Sequence, residues 1–504
     1  MSWTQIAMKA VEDRVWPEWR AAVEVTAVFL LTYLPGLGRG FIKDDFAWIA
    51  SNQVTSAGEL AALFTSTADF YRPVVRLSFA ADWWLFGIEP LAYGLTNLAI
   101  LAAGALALRA LALALGMPRG AALLAAGLWA FNFHGVDMSL LWISGRTSLL
   151  ATLFTLLAAR SFVVGQPRAA AGWALVAMLS KEDAVLLPFV LFVWAGLGVC
   201  ALKPATRELR ARADSRSARK GAPEAANASG AGAGASPRFQ LGRALRASWP
   251  LFVSLALYLA ARTAAGAMTP LDAPAAYRFM LSPGPVILNA LSYLDRGTTL
   301  AASFALLLSA AAWMVPRPSA EQRRWVLLGL VWMLGGFALA VLLPVRSSLY
   351  AVGPAAGASL AGAALVTALW DGGGRAARCR AVLAGAFALA IAVPIHWARL
   401  DEWVDAARLS TRVLDRLAPV VATLPAEGVI RLDDDRGRRI NLDAAFGTLI
   451  ETAVLVRTGR RQPVWIEPPP IDWQLAGLVP PREEDVVVRF ALQDDDLVRL
   501  PEPR

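Results

Sequence analysis

Long apolar runs separated by short polar turns fill the first four-fifths of the chain, and they set its architecture before any single residue is considered. A membrane-crossing helix needs roughly 20 mainly apolar residues. Runs at about 22–38, 92–116, 119–134, 147–164, 169–180, 184–202, 248–264, 292–315, 325–343, 351–370 and 381–397 predict about 11 transmembrane helices, the third and fifth short for a full span. After Trp397 the pattern changes. WARLDEWVDAARLSTRVLDRL has helical periodicity, VIRLDDD, PVWIE and DVVVRFAL read as strands, and LDAAFGTLIETAVLVRTG reads as a helix. The predicted fold is therefore an α-helical polytopic membrane protein with a small C-terminal extracytoplasmic α/β domain.

Composition agrees. Hydrophobic residues make up 57% of the 504 and mean hydropathy is +0.50, above the 45–50% apolar usage of soluble domains. The opening MSWTQIAMKAVEDRVWPEWR carries mixed charge and no clear small-residue cleavage site, so an uncleaved first helix is expected. Cys200 and Cys379 are the two cysteines, both at expected cytoplasmic helix ends or loops, which excludes a disulfide framework.

Lys and Arg in short loops orient a membrane protein. The segment Lys203–Arg246 holds ten basic residues against three acids around a Gly/Ala/Ser-rich centre, the signature of a flexible cytoplasmic linker. Counting helices outward divides the chain into a cytoplasmic N-terminus (1–21), an N-terminal membrane half (22–202) with a first extracytoplasmic loop (39–90), the basic linker (203–247), a C-terminal membrane half (248–400) and an extracytoplasmic α/β domain (401–504). The net charge of +9 sits largely in that linker and in short turns, so nucleic acid is not an expected partner.

Against this frame, charged groups on the outer face stand out. Asp44 and Asp45 follow the first apolar run in FIKDDFAW, and Arg72 and Arg76 fall at i and i+4 in YRPVVRLSF, where a helix would point both the same way. Arg146 ends LLWISGR, Lys181, Glu182 and Asp183 form SKED, and Arg346 and Tyr350 lie in VRSSLY. Together they could hold an anion such as a lipid phosphate at the membrane surface. Each also has a plainer explanation: an arginine at a helix end can snorkel to headgroups, and Trp48, Trp83, Trp84 and Trp142 suit an interfacial belt. Asp295–Arg296 suits an ion pair, and the acidic runs 433–435 and 494–496 suit turns. His134 and His396 are too few for a histidine-rich metal site.

In order and spacing, KDDF, YRPVVRLSF, LWISGR, LSKEDAVLLP and a late R-x-x-x-Y resemble the polytopic glycosyltransferases of the C superfamily over roughly residues 22–400. The similarity is to the branch of protein O-mannosyltransferases, tetratricopeptide-containing transmembrane mannosyltransferases and lipid A aminoarabinose transferases. That resemblance implies transfer of a sugar from a polyprenyl-phosphate donor to a protein, lipid or glycan acceptor on the outer face, in the cytoplasmic membrane of a bacterium. It implies Asp44 as catalytic base with Asp45 beside it. It also implies a second outer acid, matched by Asp137 in FHGVDMSL, that binds a metal or positions substrate. A divalent metal is an option rather than a requirement, since phosphate is already a good leaving group. The late motif VRSSLY departs from the Arg-Tyr-Leu-Tyr of relatives, and tetratricopeptide repeats are absent. Two other classes compete: a flippase of lipid-linked sugars, which calls for polar or broken helices at mid-membrane, and a non-catalytic anchor for the C-terminal domain.

Overall fold

The computed structural model describes residues 18–65, 70–199, 239–267, 269, 277–311, 318–372, 374–470, 473–474, 478–493 and 496–501. Most of the basic linker, and Cys200 with it, lie outside the described residues. The chain is an integral membrane protein. Four of its described stretches, Pro90–Ala114, Leu241–Ala264, Ala320–Leu342 and Ser348–Asp371, are long and apolar enough to cross a membrane by length and composition.

Helices occupy each of the other predicted runs as well. α1 (Glu18–Tyr33) leads into a loop carrying three short helices, α2 (Asp44–Ala50), α3 (Ala57–Thr65) and α4 (Pro73–Phe86). Next come α5 (Pro90–Ala114), α6 (Arg119–Ala130), the short α7 (Gly135–Leu141), α8 (Arg146–Val163), α9 (Pro167–Met178) and α10 (Leu187–Gly196). The second half holds α11 (Leu241–Ala264), α12 (Pro283–Ala311), α13 (Ala320–Phe337) and α14 (Val352–Gly372). Small residues let these helices approach closely: a Cβ at Gly329 would lie 2.4 Å from the Gly357 carbonyl oxygen across the α13–α14 contact.

The final helix departs from the expected boundary near residue 400. α15 runs unbroken from Arg375 to Val421, 47 residues or about 70 Å at 1.5 Å per residue. It links the membrane half to the C-terminal unit by a rod instead of a loop. Beyond it, β1 (Val429–Asp433), α16 (Leu442–Phe446), α17 (Ile450–Thr458), β2 (Val464–Glu467), β3 (Val486–Gln493) and β4 (Asp496–Arg499) build a four-stranded sheet in the order β2-β1-β3-β4. β1 pairs parallel with both neighbours, and β3 pairs antiparallel with β4. β3 alternates buried and outward positions, the half-buried pattern its VVVRFALQ sequence predicts. The helix predicted over 442–459 is broken into α16 and α17 at Gly447, whose φ of +53° suits glycine.

One hydrophobic core joins this unit to the loop between α1 and α5. Phe41, Phe46, Ile49, Val75 and Phe79 pack in the same cluster as Leu409, Leu417, Ile430, Phe446, Ile450 and Trp465. Phe46 stacks on Phe446 at 6.0 Å between centroids, and Lys43 N donates to the Ala445 carbonyl at 2.9 Å. The loop bearing Asp44 and Asp45 is thus clamped by the C-terminal unit.

Candidate active site

Two adjacent carboxylates with one sequence context receive opposite environments. Asp45 is fully buried: Oδ2 accepts from Ile42 N at 3.0 Å, and Oδ1 accepts from Ser144 N at 2.7 Å and Ser144 Oγ at 2.8 Å. Burial pushes its carboxyl up to about 7 against the pull of those donors. The Ser144 turn approaches closely because Gly145 follows it, where a Cβ would sit 2.4 Å from Ser139 Cα. Asp44 is exposed and, among the described residues, its carboxylate is committed to no hydrogen bond. The crowding around it raises its pKa, offset by Lys43 and Arg72.

Lys43 supplies the reason the two acids diverge. It has φ 46° and ψ −126°, the one non-glycine residue with positive φ among those described. A side-chain-bearing residue held there stores of order 1–3 kcal/mol, kept in place by its surroundings. The clamp from Ala445 and the Asp45 bonds hold that kink, which buries one carboxylate and presents the other.

Arg72 and Arg76 do not act as a pair. Arg72 caps α4 and forms a two-pronged ion pair with Glu182, Nε to Oε2 at 2.9 Å and Nη2 to Oε1 at 2.5 Å, with its guanidinium over the Phe70 ring. Glu182 is held below the usual carboxylate range, burial being outweighed by Arg72. Arg76 turns the other way, to Asn52 Oδ1 at 3.1 Å and the carbonyls of Ala62 and Leu63 at 3.3 Å, bracing α3.

Arg146 is enclosed completely. Its partners are Asp82 at 2.6 Å, Asn97 Oδ1 at 2.6 Å, Ser78 Oγ at 3.0 Å and the Tyr93 carbonyl at 3.1 Å, with Phe79 against its face. Sequence reasoning missed Asp82 and Asn97. Their one signal was polarity within otherwise apolar helices, where a buried charge is paired.

Lys181 is buried, bonded to Asp183 at 2.9 Å and Ser148 Oγ at 3.0 Å, and lies 4.3 Å from the centroid of the Tyr350 ring. Glu182, Asp183 and Tyr350 also line a largely apolar cavity of ≈ 250 Å³, walled by Phe70, Tyr258 and Leu343. Lys181, Arg72 and Tyr350 therefore gather at one place. Arg346 stands apart, exposed, donating to Asn289 Oδ1 at 2.6 Å.

Asp137 belongs to a separate buried cluster, accepting from Tyr33 Oη at 2.9 Å and facing His396 Nδ1 at 2.8 Å. Burial raises its pKa, against His396 and Tyr33. Among the described residues, no three His, Cys, Asp or Glu side chains are placed to hold a metal ion.

Neither a protein-family model nor a curated protein matches the chain. Among solved structures it is similar to ArnT from Cupriavidus metallidurans bound to undecaprenyl phosphate, with TM-score 0.47 and 12% identity over 94% of this chain and 93% of that one. It is also similar to an oligosaccharyltransferase from Archaeoglobus fulgidus tethered with an acceptor peptide, with TM-score 0.43 and 13% identity over 90% of this chain and 64% of that one.

Proposed function

We propose that the protein is a membrane glycosyltransferase that moves one sugar from a polyprenyl-phosphate donor to an acceptor on the extracytoplasmic face. The observation that carries this is the placement of Asp44: an exposed, uncommitted carboxylate, raised in pKa, within the field of Arg72. Arg72 in turn leads through Glu182 and Tyr350 to an apolar cavity.

Chemically, the acceptor hydroxyl gives its proton to Asp44 as its oxygen bonds to the anomeric carbon. The bond from that carbon to the phosphate oxygen breaks, and the electron pair leaves on the polyprenyl phosphate. A carboxylate whose pKa is raised is a stronger proton acceptor, which suits the first task. Cations suit the second by stabilising charge on the departing phosphate. Glu182 takes Nε and Nη2 of Arg72 and leaves Nη1 for a phosphate oxygen. Lys181 adds a second positive charge beside Tyr350, and the ≈ 250 Å³ cavity seats the first prenyl units. Asp45 is a positioning group, since its oxygens are already engaged. The charges around Asp44, Arg72 and Lys181 gather at helix ends and loops, which favours a transferase over a flippase, with Asp295–Arg296 inside α12 the main exception.

The test is sugar transfer from polyprenyl phosphate in proteoliposomes. Asp44→Asn should lower turnover by about 10²–10⁴, with melting temperature and donor binding retained. Near-normal turnover in folded Asp44→Asn protein would remove Asp44 from the chemistry.

A further inference from the structure

Asn97 of α5 is fully buried, and its amide works in two directions. Oδ1 accepts from Arg146 Nε at 2.6 Å. Nδ2 donates to the Ile143 carbonyl at 3.1 Å and meets the carbonyls of Ser139 and Leu140 at 3.4 Å. One neutral side chain therefore ties the residues on both sides of Ser144, at the junction of α7 and α8, to a helix 25 residues long. Ser144 itself is 5% exposed, and its N–H and hydroxyl both donate to the same Asp45 oxygen.

What Asp45 is tied to matters because α2 cannot orient itself. It has seven residues, and its N-cap, Lys43, makes no side-chain capping bond. A helix that short is not stable alone, so the groups that grip it from outside decide where its first turn points. On one side the Ala445 carbonyl holds Lys43 N and Phe446 stacks on Phe46. On the other, Ser144 holds the Asp45 carboxylate. Successive helical residues are rotated by about 100°, so fixing Asp45 also fixes the direction of Asp44, whose own carboxylate is held by nothing.

We infer that Ser144 and Asn97 are positioning residues for the transfer step, acting through Asp45 to hold Asp44 where the acceptor hydroxyl meets it. The inference rests on the reading of Asp44 as the base. Misplacing a reacting group by about 1 Å costs about 10²-fold in rate, which is how a neutral amide inside α5 governs turnover without touching substrate. The test is sugar transfer from polyprenyl phosphate by the full-length protein in proteoliposomes. Ser144→Ala removes the hydroxyl donor and keeps the backbone one, so turnover should fall about tenfold while the donor KM stays within about twofold. Asn97→Leu frees the whole turn and should lower turnover by about 10². The decisive comparison adds Ser144→Ala to Asp44→Asn. Residues that act as a unit are not additive, so the pair should be no slower than Asp44→Asn alone. Losses that multiply in the pair, or a raised donor KM with turnover unchanged, overturn the assignment. If Asn97→Leu fails to fold, Ser144→Ala and the pair decide. Slow Asp44→Asn beside normal Ser144→Ala overturns the positioning role alone, whereas near-normal Asp44→Asn overturns the base and the positioning role together.

Discussion

Arg146→Met should cripple stability, and pairing it with a second change should largely restore it. The guanidinium has no exposed surface and satisfies Asp82, Asn97, Ser78 and the Tyr93 carbonyl. Methionine fills much of the volume but leaves Asp82, itself 4% exposed, as an uncompensated buried charge. Breaking a buried pair by removing one partner costs about 3–5 kcal/mol. At roughly 2 °C per kcal/mol, the low end for domains of 150–250 residues, melting should fall by about 6–10 °C. Replacing the pair together with apolar residues is often neutral, so Arg146→Met with Asp82→Leu should recover most of that loss. The assay is melting in detergent across the four-member mutant cycle, with binding of polyprenyl phosphate measured on the double variant. Recovery of stability together with donor binding fits a structural knot. A double variant that melts normally but no longer binds the donor would refute this account and make Arg146 a phosphate ligand.

Three further outcomes follow from the acid loop. Because Asp45 has its folded pKa raised to about 7 from 3.8, folding favours its protonated form. Its contribution is full below about pH 3.8 and lost as pH rises through about 7, roughly 4 kcal/mol over three pKa steps; Asp45→Asn should abolish that part of the melting-versus-pH slope, and an unchanged slope would place the titration elsewhere. Lys43→Gly should raise melting stability by about 1 kcal/mol by relieving its positive φ, whereas a loss would mean the conformation is unstrained. Deleting residues 425–504 strips Phe446 and Ile450 from Phe46 and Ile49, so melting temperature and donor binding should fall together; donor binding at full strength would show that the loop holds its shape without the sheet.

Apolar runs marked where the long helices fall, because segments that meet lipid must satisfy their backbone internally and carry long apolar runs whatever surrounds them; four of the described stretches are long and apolar enough to cross a membrane, and the short helices of the acid-bearing loop carry no such run. Strand patterning in VIRLDDD, PVWIE and DVVVRFAL was equally legible, since alternation follows from the pleat. The sequence also marked KDD, YRPVVR, LWISGR and SKED as places where charge stands at the ends of apolar runs. What each charge does there was beyond it. Asp44 and Asp45 differ because a turn at Ser144, 99 residues away, supplies two donors to one and none to the other. Arg72 and Arg76 share a helix turn, yet Glu182 draws one and the carbonyls of α3 draw the other. Even the kink at Lys43 depends on Ala445, some four hundred residues on. A carboxylate or guanidinium takes its role from the partners that reach it and the water excluded around it, and those are properties of packing between distant segments, which no local pattern encodes.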